Sequence, residues 1–222
     1  FRSTISETVG EYLMACEVKS MAISETQKYG HVTYFYNGNK SGKISEVLET
    51  YVRIPSDQVP FEQRPWMKAA EITDKVIEGI ESGEFDFIRL NLANGDMVGH
   101  TGVYQAAEIA VETVDLCLGR LKKVIQKAGG IMLMTADHGN ADDMFEHDKK
   151  TGAVKVENGI RKVKTAHSLN PVPCIIYDPE SKNEYKNKLK EGLGISSLAA
   201  TCIELLGFTP PENYDPSVLD WN

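Results

Sequence analysis

Short β-branched or aromatic runs alternate along the chain with longer stretches in which apolar residues recur every three or four positions. SMAIS at 20–24 and HVTYFY at 31–36 have the composition of strands, the second closed by the turn residues Asn37-Gly38-Asn39. From 41 to 65 the text is polar and carries Pro55, Pro60 and Pro65, which predicts a long excursion with at most one edge strand, at 50–54. Between 68 and 81, Ala69, Ile72, Val76, Ile77 and Ile80 fall at helical spacing, and Ser82-Gly83 stops them. FDFIRLNL at 85–92 predicts a strand.

The longest amphipathic pattern runs over 104–128, where Ala107, Ala110, Val111, Val114, Cys117, Leu118, Leu121, Val124 and Ile125 form one stripe ending at Gly129-Gly130. IMLMTA at 131–136 lacks alternation, as expected of a central strand covered on both faces. Residues 141–166 are polar and predict a hairpin-like excursion with turns at 149–152 and 157–159. PVPCIIY at 171–177 predicts a further strand, and 195–206 a last helix ended by Gly207 and Pro210-Pro211. Strands alternating with helices imply an α/β fold, a mostly parallel central sheet with helices on both faces. There is no internal repeat and no low-complexity segment.

At 222 residues the chain makes one large domain or two small ones, and 41% hydrophobic with 25% charged residues is an ordinary globular balance. Lys plus Arg number 24 against 32 Asp plus Glu, a formal charge of −8, which argues against nucleic acid as a partner. No run approaches the ~20 apolar residues of a membrane span, and FRSTISETVGEYL has no apolar signal core, so neither membrane nor secretion is expected. Cys16, Cys117, Cys174 and Cys202 are widely spaced and read as reduced core thiols of a cytoplasmic protein. The first residue is Phe1 rather than Met, which suggests upstream removal or part of a longer gene product.

Three polar clusters stand where α/β sheets gather functional groups, at strand ends. NLANGDMVGHTG at 91–102 carries Asp96 and His100, ADHGNADD at 136–143 carries Asp137 and His138, and TAHSLNPVP at 165–173 carries His167. Of five histidines in the chain, three are therefore in these clusters. Mixed imidazole and carboxylate donors suit Zn, Mn, Co or Fe, whereas oxygens alone would suit Mg or Ca. The DxxxH spacing of Asp96 and His100 puts both side chains on one face if the segment turns helically. Two ions some 4 Å apart would clamp a phosphoryl group and activate a nucleophile. His147, in the acidic MFEHDKK, reads as solvated, and His31 as structural or pocket-lining.

The phrases SETQKYGHVTYFYNG, NGDMVGHTG, TADHGNADDM and TAHSLNPVPCII, with the helix VETVDLCLGRLKKVI and the ending SLAATCIELLGF, resemble the cofactor-independent phosphoglycerate mutases of the alkaline phosphatase superfamily. The resemblance runs in order through nearly the whole chain. It implies an alkaline phosphatase-like three-layer domain and interconversion of 3-phosphoglycerate and 2-phosphoglycerate through a phosphoserine. It also implies two divalent ions, Mn2+ in the first instance with Co2+ and Mg2+ as alternatives, and no organic cofactor. By the same resemblance, Asp96, His100 and His167 would hold one ion, and Asp137 and His138 the other together with an aspartate and the nucleophilic serine. Lys28, in SETQKY, would stabilise the transferring phosphoryl charge.

The family's N-terminal segment, which carries that aspartate and serine, and its inserted transferase domain have no counterpart here. Ser24, Ser41 and Ser168 match no nucleophile motif, so residues 1–222 are expected to be the C-terminal portion of the metal-binding phosphatase domain. Such a portion would hold one complete and one half-built metal site, would be inactive alone, and would have the missing N-terminal part of the same protein as its partner. The family is typically monomeric. The rival readings are another metal-dependent phosphatase or phosphomutase of the superfamily, or a non-catalytic metal-binding domain.

Overall fold

Strand β1, Ser20–Glu25, is buried at all six positions because it is paired on both edges. In the computed structural model, which describes residues 3–222, it runs parallel to β2, Glu49–Ile54, on one side and to β3, Phe87–Asn91, on the other. Ala22 faces Tyr51 and Arg89 across the two ladders. Phe1 and Arg2, including the chain start considered above, lie outside the described residues.

Alternation along the strands directs side chains to two layers. Met21, Ile23, Ile88 and Leu90 pack with Ile72, Val76 and Leu121 of helices α2, Ala69–Ser82, and α4, Tyr104–Ala128. Phe87 points the other way, into a cluster with Leu13 of α1, Val9–Ala15, and Ile203 of α5, Ser197–Leu205. Both long helices end where the sequence predicts, on left-handed glycines, Gly83 at φ 67° and Gly129 at φ 66°.

Several elements differ from the reading of the sequence. HVTYFY is not a strand: His31–Phe35 forms a π-helical turn. Its pattern is met by burying Val32 and Thr33, while Thr33 Oγ1 donates to the Tyr29 carbonyl at 2.7 Å and Arg89 Nε to the Val32 carbonyl at 2.8 Å. β4, Met132–Thr135, is not a central parallel strand but half-exposed, and pairs antiparallel with β7, Cys174–Tyr177, Thr135 facing Cys174. No helix lies between β4 and β7, so no crossover is available to make them parallel.

The excursion between them is hairpin-like as expected. Phe145 bridges Val163 and His147 bridges Val154, and β5, Val156–Glu157, pairs with β6, Ile160–Arg161, around a left-handed Asn158-Gly159 tip. Helix α1 and a short helix α3, Asn94–Gly99, were not predicted. All four cysteines are free, and among the described residues no helix is long and apolar enough to cross a membrane.

Candidate metal centre

Four segments meet beyond the strand ends. β1 leads to Lys28, β3 runs into α3 with Asp96 and its following His100, β4 ends at Asp137 and His138, and His167 precedes β7. The start of α3 is fixed from outside: Asn94 is fully buried and its amide donates to the carbonyls of Pro65 at 3.0 Å and Trp66 at 2.8 Å. The helical turn of α3 realises the i, i+4 geometry of Asp96 and His100, with His100 Nε2 3.1 Å from Asp96 Oδ1.

His167 arrives at the same oxygen from a distant part of the sequence, its Nε2 3.2 Å from Asp96 Oδ1 and 3.2 Å from His100 Nε2. Three ligand atoms thus form a nearly equilateral triangle. Around a transition metal with bonds of about 2.0–2.1 Å, neighbouring ligand atoms lie about 3.0 Å apart in an octahedron and about 3.3 Å in a tetrahedron. The triangle matches that range. It joins one carboxylate to two imidazoles, a donor set that suits a transition metal.

Asp137 and His138 form a second, looser group, His138 Nε2 lying 3.5 Å from Asp137 Oδ2. Lys28 ties the groups together. Its Nζ is 2.8 Å from Asp96 Oδ2 and 3.8 Å from Asp137 Oδ2, and the residue is only 5% exposed. Burial pushes the Asp96 carboxyl up, but the hydrogen bond and charge of Lys28, with smaller contributions from His138 and His100, prevail and hold it below the usual aspartate value.

Two further residues complete the setting. Asn140, buried and not singled out from the sequence, donates from Nδ2 to Asp96 Oδ1 at 3.1 Å. The signal was its place in the DHGN run directly after two candidate ligands. A Cβ at Gly99 would overlap the Asn140 carboxamide oxygen, so glycine there permits the close approach. His31 is largely exposed but within electrostatic reach of Lys28, Asp137, Asp96 and His138, and partial desolvation of its ring, followed by the Lys28 charge, lowers its affinity for a proton. His147 stands apart, bonded to Asp143 at 3.0 Å and to the Gly152 carbonyl at 2.9 Å.

This combination of fold and donor set agrees with the sequence comparisons, in which the Metalloenzyme superfamily model matches residues 1–210. The chain belongs to the metalloenzyme superfamily. It is 48% identical over 215 residues to a probable 2,3-bisphosphoglycerate-independent phosphoglycerate mutase of Leptospira interrogans, covering 97% of this chain and 39% of that protein. It is 46% identical over 220 residues to the 2,3-bisphosphoglycerate-independent phosphoglycerate mutase of Trypanosoma brucei brucei, with the same two coverages of 97% and 39%. A crystal structure of Leishmania mexicana phosphoglycerate mutase, determined at low cobalt concentration, superposes with a TM-score of 0.92 at 43% identity, covering 98% of this chain and 40% of that one. The resemblance first carried by four motifs therefore extends over almost the whole chain, which spans about two-fifths of the length of these relatives.

Proposed function

We propose that residues 1–222 form the C-terminal portion of the metal-binding domain of a cofactor-independent phosphoglycerate mutase, a cytoplasmic, monomeric enzyme of glycolysis and gluconeogenesis. In this reading Asp96, His100 and His167 hold one divalent ion, and Asp137 and His138 hold another together with groups from elsewhere in the protein. Mn2+ is the first choice, with Co2+ and Mg2+ as alternatives. The observation that carries the reading is the convergence of Asp96 Oδ1, His100 Nε2 and His167 Nε2 within 3.1–3.2 Å of one another.

When bound at these residues, divalent ions would supply Lewis acidity, neutralising phosphoryl charge and favouring the ionised form of a serine nucleophile. The chain's own groups do the rest. Lys28, held by Asp96 Oδ2, would stabilise the charge of the transferring phosphoryl oxygens, since a fixed cation is most effective in a partly dry site. Asn140 keeps Asp96 Oδ1 aimed at the two imidazoles. The phosphoryl group passes from one hydroxyl of the glycerate to the serine and back to the other hydroxyl.

The serine and an aspartate come from a segment outside this chain, as does the transferase domain. Supporting this, β3 and β4 each have one unpaired edge among the described residues, while Met132 of β4 shares an apolar cluster with Leu90 and Leu92. In the full-length protein, Asp96→Ala and His167→Ala are each expected to lose bound manganese by elemental analysis, and unchanged metal content in both would overturn the ligand assignment.

A further inference from the structure

His167 is the least supported member of the metal triangle. It is 44% exposed and lies on an irregular segment between the hairpin and β7. What fixes it lies on the other side of the site. The Ser168 amide donates to the Gly139 carbonyl at 2.9 Å, and Ser168 Oγ donates to Asp142 Oδ2 at 2.6 Å. The same Asp142 oxygen accepts Asn170 Nδ2 at 2.6 Å. Ser168 is 5% exposed, and a Cβ on Gly139 would overlap both its hydroxyl and the Asp142 carboxylate, so the two loops are at their closest approach there.

One consequence of this clasp is visible in the rings. His138 and His167 stack with centroids 3.5 Å apart and planes within 8°. The turn from 139 to 142 thus addresses both parts of the centre, Asn140 reaching Asp96 while Asp142 reaches the residues that follow His167.

We propose that Asp142 is a positioning residue of the metal centre, acting through Ser168 and Asn170 to hold the His167 imidazole in the Asp96–His100 triangle and against His138. The inference rests on the ligand reading given under Proposed function. Its carboxylate is not one of the proposed ligands; it accepts the side-chain hydrogen bonds of Ser168 and Asn170, whose loss would leave the Ser168 amide bond to Gly139 as the tie directly after His167. Outer partners of this kind commonly set metal affinity by 10–100-fold.

The test is titration of the metal-free full-length protein with cobalt, followed by visible absorption, which reports ligand number and type, alongside thermal unfolding of each metal-free variant. Asp142→Ala is expected to bind Co2+ about 10–100-fold more weakly than wild type and to shift the absorption bands, with Ser168→Ala at the lower end of that range. Asp142→Asn keeps an acceptor oxygen and is expected to recover most of the affinity. Wild-type affinity and bands in Asp142→Ala and Ser168→Ala would overturn the inference while leaving the ligand reading intact. If Asp142→Ala does not fold, Ser168→Ala decides by the same criterion. Wild-type protein that binds no cobalt with imidazole ligation would overturn both.

Discussion

The guanidinium of Arg89 lies 3.2 Å from the carboxylate of Glu49, and their side chains are 8% and 0% exposed. The pair sits between β3 and β2 on either side of β1. Glu49 also accepts from Tyr51 at 3.0 Å and from the Ile44 amide at 2.6 Å, while Arg89 lies over the Tyr36 ring at 4.1 Å. Burial, then the Glu49 charge, push the Tyr51 hydroxyl up to about 12. Replacing one partner strands the other's charge in the interior, so Arg89→Ala is expected to cost about 3–5 kcal/mol. Arg89→Lys should not restore it, because the planar fork and the ring stacking are lost. Urea unfolding followed by far-UV circular dichroism measures this, and a loss under about 1 kcal/mol would contradict it.

Lys28 is the one cation within reach of both Asp96 and Asp137 among the described residues. Removal of a fixed donor that stabilises transition-state charge typically costs 10²–10³-fold in turnover. Lys28→Ala in the full-length protein is therefore expected to lower kcat by roughly that factor. Steady-state conversion of 3-phosphoglycerate checks it, and a loss confined to KM would assign Lys28 to ground-state binding instead.

Both ring nitrogens of His147 face acceptors, Nε2 toward Asp143 and Nδ1 toward the Gly152 carbonyl, so only the imidazolium satisfies both. The Gly152 hydrogen bond, then Asp143, raise its proton affinity above the ordinary imidazole value, against a smaller opposing charge from Lys164. A raised folded value means that the stabilisation is fully present below the unfolded value, near 6.5, and is lost as pH rises through the folded one. Cleavage by trypsin after Lys149 and Lys150 is expected to accelerate across that window, and His147→Gln should flatten the dependence. Equal cleavage of wild type and variant at every pH would contradict it.

Much of this architecture is legible in the chain, and the exceptions have physical causes. Helices α2 and α4 declare themselves because their apolar stripes are long and end on glycines. Helix α1 is short, yet its capping box, Thr8 with Glu11, was present as a T-x-x-E signal. α3 contains two glycines and has little intrinsic helical preference; tertiary anchoring through Asn94 supplies what propensity does not. HVTYFY misleads because β-branched and aromatic residues suit any half-buried surface, and the Arg89 hydrogen bond to Val32 favours a tight turn there. The apolar run of β4 could not specify its direction, which depends on the route taken by residues 136–173. At the site, residue types and DxxxH spacing bring Asp96, His100 and His167 to notice. Asn140, Asp142 and Ser168 escape because their roles depend on contacts between loops.

The lysine between the two aspartates has a bearing on how the centre is loaded. Two carboxylates gathered without a counter-charge would push one another apart. With its ammonium 2.8 Å from one acid and 3.8 Å from the other, the chain brings its own stand-in for a cation. Under the ligand assignment proposed above, the walls of the site would therefore stand ahead of any ion, and folding would not have to wait for metal.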